Sequence, residues 1–342
     1  MSENPLIWVL RGARVGDTAQ AIALALCLSN RVVIKDIKFN ILHHLPSLLL
    51  GAGVAHLTGQ SRAALQKPWP DLVIATGRRT ASVSLWIKVQ SGGHSKAVQL
   101  GRPRLALAKF DLVVTTPQYG LPPAANVVTL PLPFHLPKTV DAPTLQGLSR
   151  LWDGLPKPWI MAVVGGGKYP QRMTKAALQT YGVAIDAYAE KHQASVLLFS
   201  SPRSPAQALH HVAAVIGRPL WRADQSPAKD AYQGALARAQ QFTVTSDSVS
   251  MTTDMLATGK PCLVFDLPGS PLSGGWSAEH GVLAGLARAG VVSPPRDVAA
   301  LIAGLRAQGV VGDLAQMTEP WARLALQEVH ENLILRIRSL LV

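Results

Sequence analysis

Cysteine is nearly absent from this sequence, with two in 342 residues, Cys27 and Cys262, both inside apolar runs. A disulfide framework is therefore not expected, and a reducing cytoplasm is the natural compartment. Acidic residues are scarce as well, 20 against 33 Lys and Arg, for a net charge of +13. Aromatics make up 6% of the chain and do not interleave with basic residues as base stacking requires. With no helix-turn-helix signature and no zinc spacing, nucleic acid is not an expected partner. No apolar run reaches the roughly 18 to 20 residues of a membrane span. The strand-like run at Pro5 to Leu10 is followed at once by Arg11 and Arg14, which is not a signal peptide. Gly-x-Gly-x-x-Gly, Tyr-x-x-x-Lys and Asp-x-Asp are all missing, which argues against a dinucleotide oxidoreductase or epimerase and gives no reason to expect a bound metal or cofactor. His43, His44, His56, His210 and His211 show no metal spacing.

What is present is a core-forming chain, 48% apolar and 15% charged, long enough for two domains. Its charge is uneven. Residues 1–137 carry 14 Lys and Arg against 5 acids, whereas residues 138–342 carry 19 against 15. The basic first half suits an anionic partner, such as a lipid or membrane surface or a phosphorylated acceptor.

Strand-like apolar runs alternate with helical patterns through both halves. The first half opens with a strand at Leu6 to Leu10, a loop holding Gly12, Gly16 and Asp17, and a helix from about Ala19 to Leu28. That is how a doubly wound α/β domain begins. A third strand, Asp71 to Thr76, runs into Gly77-Arg-Arg-Thr80, where Arg78, Arg79 and Thr80 at a helix head suit an anion. Leu45 to Leu57 is apolar but broken by glycine, and either covers a sheet face or touches a bilayer. Prolines from 131 to 158 mark a linker, and a second alternation starts at Trp159 to Val164 before Gly165-Gly-Gly-Lys168. In the tail, Trp321, Ala325, Val329, Leu333 and Ile337 recur every four residues on a helix from Thr318 to Leu341, with Thr318 as N-cap. The expected domains are 1–137, a linker at 138–158, 159–317, and a C-terminal helix at 318–342 that packs back across the linker.

The second half is organised around Gln241 to Leu267: a buried strand, a hydroxyl-rich turn, a short helix, then Gly259-Lys-Pro261 and another buried strand. Ser246, Asp247, Ser248 and Ser250 stand where a helix N-terminus can meet an anion, or where they simply cap the helix. Asp254, about a turn deeper, can accept two hydrogen bonds from a vicinal diol. Phosphate plus ribose points to a nucleotide.

Four motifs in order carry a family resemblance. They are Gly-x-x-x-Gly-Asp-x-x-Gln from Gly12, Thr-Gly-Arg-Arg-Thr at 76–80, Phe-Asp-Leu-Val-Val-Thr-Thr-Pro at 110–117, and Ser-Asp-Ser-Val-Ser-Met at 246–251 with Thr-Gly-Lys-Pro at 258–261. Together they resemble the mitochondrial-fission "elongated mitochondria" family, whose bacterial members are described as glycosyltransferases. More distantly, the second half is similar to GT-B nucleotide-sugar transferases. In these an acidic residue five positions before Gly-x-Pro holds the donor ribose; here that residue is Asp254, where Glu is usual. After the Thr-Pro pair this chain has Tyr119-Gly120 in place of His-Asp.

The resemblance implies two Rossmann-like, doubly wound α/β domains facing across a cleft, as in GT-B enzymes. It implies a glycosyltransferase that takes a nucleotide sugar as co-substrate, works without a metal, and acts on a lipid-linked or envelope acceptor at the inner face of the membrane. The alternative is a non-catalytic scaffold that keeps the fold and recruits a partner. On the enzyme reading, Gly165, Gly166 and Gly167 let the backbone approach the donor diphosphate and Arg203 neutralises it. The acceptor hydroxyl needs a base, for which Asp17 is the first candidate and His94 the second.

Overall fold

The computed structural model describes residues 4–12, 15–138, 140–167, 171–226, 228–269, 281–293 and 295–342, with the side chains of 15–17 and 149 excepted. The chain divides into two compact units. One comprises residues 1–136, 275–297 and 325–342; the other comprises 137–274 and 298–324.

The first unit holds β1 (Ile7–Arg11), β2 (Val32–Asp36), β3 (Leu72–Thr76), β4 (Lys96–Leu100), β5 (Leu112–Thr115) and β6 (Val127–Thr129). They form one six-stranded sheet in the order β2-β1-β3-β4-β5-β6, every pairing parallel. Parallel strands are covered on both faces, so their side chains are apolar almost without interruption. Alternation along β1 shows why. Ile7 and Val9 pack with Leu24 and Leu28 of the Val15–Leu28 helix and with Leu333 and Ile337 of the Leu326–Arg338 helix. Trp8 and Leu10 face the other way, against Val83 and Ile87 of the Gly77–Gln90 helix and against Leu57 and Leu65. Each such side chain contributes about 1.5–3 kcal/mol on burial.

The second unit repeats the plan with β7 (Trp159–Val164), β8 (Ser195–Ser200), β9 (Leu220–Arg222), β10 (Gln241–Thr245), β11 (Cys262–Phe265) and β12 (Gly312–Asp313). Their order is β12-β11-β10-β7-β8-β9, again all parallel. Ile160, Ala162 and Val164 pack with Leu178, Tyr181 and Ile185 of the Lys175–Lys191 helix. The opposite face carries an aromatic group centred on the fully buried Trp152, whose ring lies 5.6 Å from Trp159 and 5.7 Å from Trp221.

Three sequence expectations need correction. The proline-rich stretch at 138–158 is not a plain linker, because Ala142–Arg150 is a helix whose Leu148 meets Gly234 on the second unit's aromatic face. Pro143 does not prevent this, since a first-turn proline gives up an N–H that has no helical partner. Residues 275–297, expected in the second half, group with the first unit. The last helix runs over Leu326–Arg338 rather than from Thr318. Thr318 bridges to Asp313 instead, and the Trp321 and Ala322 N–H groups both donate to the Gly309 carbonyl, which keeps that segment extended. Trp321 is consequently 77% exposed, and only Leu333 and Ile337 of the stripe are buried.

Candidate active site

In an open parallel sheet the ligand crevice lies beyond the carboxyl ends of the strands, where the strand order reverses. In the second sheet the reversal falls between β7 and β10. The residues after β7 are Gly165, Gly166 and Gly167, and those after β10 are Ser246, Asp247 and Ser248. Topology therefore brings together two stretches 80 residues apart in sequence.

A short chain of hydrogen bonds fastens them. The Gly165 N–H donates to Thr245 Oγ1 at 2.8 Å, the Thr245 hydroxyl donates to Asp247 Oδ1 at 2.7 Å, and the Gly167 N–H donates to Asp247 Oδ2 at 2.7 Å. Glycine is required at 165, because a Cβ there would sit 2.2 Å from Asp247 Oδ1. The loop after β8 joins the same edge. Its Ser204 hydroxyl lies 2.5 Å from the Gly165 carbonyl oxygen and 3.1 Å from that of Val164, and the Ser201 N–H donates to Val164 at 2.9 Å. Arg203 is exposed, and its side chain crosses Gly166, where a Cβ would meet Arg203 Cβ at 2.9 Å.

Ser246 and Asp247 do not present their side chains to a ligand. Both are buried. Ser246 Oγ accepts the Leu267 N–H at 3.1 Å and Gln171 Nε2 at 2.9 Å, while Asp247 is turned inward as the acceptor of the glycine turn. A carboxylate removed from water needs donors, and Gly167 and Thr245 supply them. Capping is corrected too: Ser248 is the N-cap of the Val249–Leu256 helix but its side chain makes no cap bond, and Ser250 in the first turn is exposed. That leaves the first-turn N–H groups without a side-chain cap, the arrangement that suits an anion.

Asp254 is half-buried on the same helix and accepts the Tyr232 hydroxyl at 3.2 Å. Burial first, then Asp254, pushes the Tyr232 phenol well above its usual range, so it stays a donor. The Tyr232 ring stands edge-on to Phe199 of β8 at 5.8 Å. Next to Ser246 opens a cavity of about 350 Å³ walled by Gln171, Leu267, Val298, Ala303 and Arg306. Arg306 closes one side through Asp266 at 3.0 Å.

In the first sheet the order reverses between β1 and β3, which places Gly12 and Gly77 side by side at the carboxyl edge. A Cβ at Gly12 would lie 3.7 Å from Thr80 Cγ2, so the two loops approach closely. Gly16 and Asp17 fall in the first turn of the Val15–Leu28 helix, which starts four residues ahead of the expected Ala19. The Asp17 side chain lies outside the described residues.

The expected anion site at 78–80 is not displayed. Arg78 donates to the carbonyls of Leu45 and His43, each at 3.2 Å; Arg79 lies over the Phe39 ring at 5.6 Å; and Thr80 Oγ1 donates back to Thr76 at 2.6 Å. His94 is also at the wrong place for a base. It precedes β4, at the amino edge of the sheet, where its Nε2 meets Asp71 Oδ1 at 3.0 Å. Parallel topology sets this, because a turn that leads into a strand lies at the edge opposite the switch point. Nearby, His56 is fully buried and its Nε2 meets the Arg79 carbonyl at 2.9 Å. Burial first, and then the charges of His43, Arg78 and Arg79, hold it below the usual histidine range, so it is neutral.

The family model for mitochondrial fission ELM1 matches residues 15–331. The chain belongs to the mitochondrial fission ELM1 family. Mitochondrial fission protein ELM1 of Arabidopsis thaliana is 26% identical over 256 residues, covering 63% of this chain and 56% of that protein. An uncharacterised protein of Rickettsia prowazekii (strain Madrid E), RP120, is 34% identical over 109 residues, 32% of this chain and 30% of its own length. The matched stretches thus span between about a third and about half of these relatives. Among solved structures, the glycotransferase of kitacinnamycin aligns over 99% of this chain and 94% of its own, at 13% identity and a TM-score of 0.48.

Of the residues in the stretches that carried the resemblance, Gly12, Thr80, Ser246 and Asp247 are all found at carboxyl edges of the two sheets. Gln171, Asp266 and Arg306 were invisible in sequence. Each is a polar residue with no periodic or motif signal, and only the fold brings it to the cavity beside Ser246.

Proposed function

We propose that this ELM1-family chain is a glycosyltransferase that takes its nucleoside-diphosphate sugar at the β7/β10 switch point. The observation that carries the reading is the convergence there of Gly165, Gly166 and Gly167 with the Arg203 side chain and the uncapped first turn of the Val249–Leu256 helix. Glycine backbone lets a diphosphate approach, and a guanidinium and helix N–H groups neutralise it. In the transfer, the bond from the sugar's anomeric carbon to the diphosphate breaks and a bond to the acceptor hydroxyl forms. The electron pair leaves with the diphosphate, whose growing charge Arg203 and the helix terminus stabilise without a metal. The acceptor's proton passes to a base, a role assigned to Asp17. Asp254 has one oxygen on Tyr232 and is assigned the donor ribose. The acceptor is assigned to the lipid-linked or envelope class at the cytoplasmic face.

A scaffold without turnover is the competing reading, and Arg78 favours it, because that guanidinium is engaged by backbone carbonyls rather than held for a ligand. Calorimetric titration with UDP-, GDP- and ADP-sugars as donors, and a CMP-sugar as the monophosphate control, separates the outcomes. At least one donor should bind saturably, and Arg203→Ala, an exposed position, should weaken it about tenfold or more, the worth of one charge-assisted hydrogen bond. No binding to any donor, or an Arg203→Ala protein that binds like wild type, removes the donor site. Binding without sugar release or transfer would identify the scaffold.

A further inference from the structure

The segment between β2 and β3 has two different halves. Val54, Leu57 and Leu65 pack against Trp8, Leu10 and Val73 and cover the sheet. Ahead of them, Ile41, Leu42, Leu45, Leu48 and Leu49 are 81, 40, 40, 48 and 73% exposed. Single exposed apolar side chains are ordinary on a protein surface, but five in one short segment form a patch that calls for a partner.

The backbone beneath them is held firmly. Asn40 Oδ1 accepts the Leu42 N–H at 2.9 Å, and Asn40 Nδ2 donates to Ala55 at 2.8 Å and Leu57 at 3.0 Å. Arg78 binds the carbonyls of His43 and Leu45 from the other side. These bonds fix the apolar side chains outward on an ordered frame.

Charge indicates what covers them. Residues 36–111 contain ten Lys and Arg against three acids, of which Asp36 pairs with Arg11 and Asp111 with Lys88. Asp71 accepts the Leu6 N–H and pairs with His94 at the amino edge of the sheet, whereas the patch follows the carboxyl end of β2. A second copy of the chain would bring the same positive charge and be repelled. An anionic bilayer offers both complements, headgroups for the cations and an acyl boundary for the leucines.

We propose that residues 41–50 are a docking surface for an anionic lipid bilayer. No helix among the described residues is long and apolar enough to cross a membrane, so the contact is interfacial. The proposal rests on this surface alone and does not depend on the donor site. Because Gly12 and Gly77 share the carboxyl edge with the patch, docking would bring the first unit's switch point to the membrane.

Co-sedimentation of the full chain with vesicles provides the test, using phosphatidylcholine alone and a two-to-one mixture with phosphatidylglycerol. The chain should pellet with the mixture and stay in solution with phosphatidylcholine. The double substitution Ile41→Ser/Leu49→Ser should weaken the binding about tenfold or more, with an unchanged melting temperature because both side chains are exposed. The proposal is overturned if wild type ignores both vesicles or if the double variant binds as tightly. It is also overturned if sedimentation shows a dimer that the double substitution dissolves, since a second copy would then be the occupant.

Discussion

Gly165→Ala is expected to lower the melting temperature of the second unit by about 10 °C and to abolish nucleotide-sugar binding. The added methyl would meet Asp247 Oδ1 at 2.2 Å, Oδ2 at 2.5 Å and Cγ at 2.6 Å. Overpacking of a closed site costs about 1–3 kcal/mol. Here Asp247 cannot yield freely, because moving it breaks the bonds from Gly167 and Thr245, each about 1.5–3 kcal/mol for a charged acceptor. Because the carboxylate can shift and keep part of both bonds, the net effect is about 3–5 kcal/mol, below the sum of these terms. Gly147→Ala is the matching control: it lies in the Ala142–Arg150 helix with nothing within 4 Å of its Cβ position. It should be neutral or stabilise by about 0.5–1 kcal/mol. Calorimetric melting of the two variants beside wild type checks this, and a Gly165→Ala protein as stable as Gly147→Ala would mean that the turn is looser than described.

Asp247→Ala is expected to destabilise nearly as much, by about 2–4 kcal/mol, through the opposite physics. It creates room and removes an acceptor. The Gly167 N–H and the Thr245 hydroxyl are left without their partner at a position only 5% exposed. Asp247→Asn should fall between, since its carboxamide oxygen still accepts one of the two bonds. Denaturant midpoints should therefore rank wild type above Asn above Ala. If Ala matched wild type, the carboxylate would not be what fastens the glycine turn.

Much of the architecture is legible in the sequence because buried parallel strands are short, apolar and bounded by glycine or a polar turn. Trp159 to Val164 is such a strand, and the structure gives it the same limits, while the one read at Asp71 to Thr76 begins one residue later, at Leu72. The tail misleads because Thr318 and Pro320 mimic a helix start, while the contact that decides their conformation is the bridge to Asp313. At the site, sequence locates the loops but not the directions of their side chains. Asp247 looks like a cap or an anion-site residue until the Gly167 N–H, 80 positions away, and the Thr245 hydroxyl claim its carboxylate. His94 looks like a base on a glycine loop until the sheet assigns that loop to the wrong edge. Arg78 shows the same limit. Its neighbours predict an anion, and its partners prove to be carbonyls 33 and 35 positions earlier in the chain.

The family assignment does not say where a ligand binds; a donor at the β7/β10 switch point, as proposed, would be reported directly by backbone amides. With the nucleoside diphosphate of whichever donor binds, amide chemical shifts should be followed through a titration. The expected result is saturable movement of the Gly165, Gly166 and Gly167 amides together with those of Ser201 and Arg203. Binding whose shifts lie elsewhere, with those five amides still, would contradict a donor site at the β7/β10 edge.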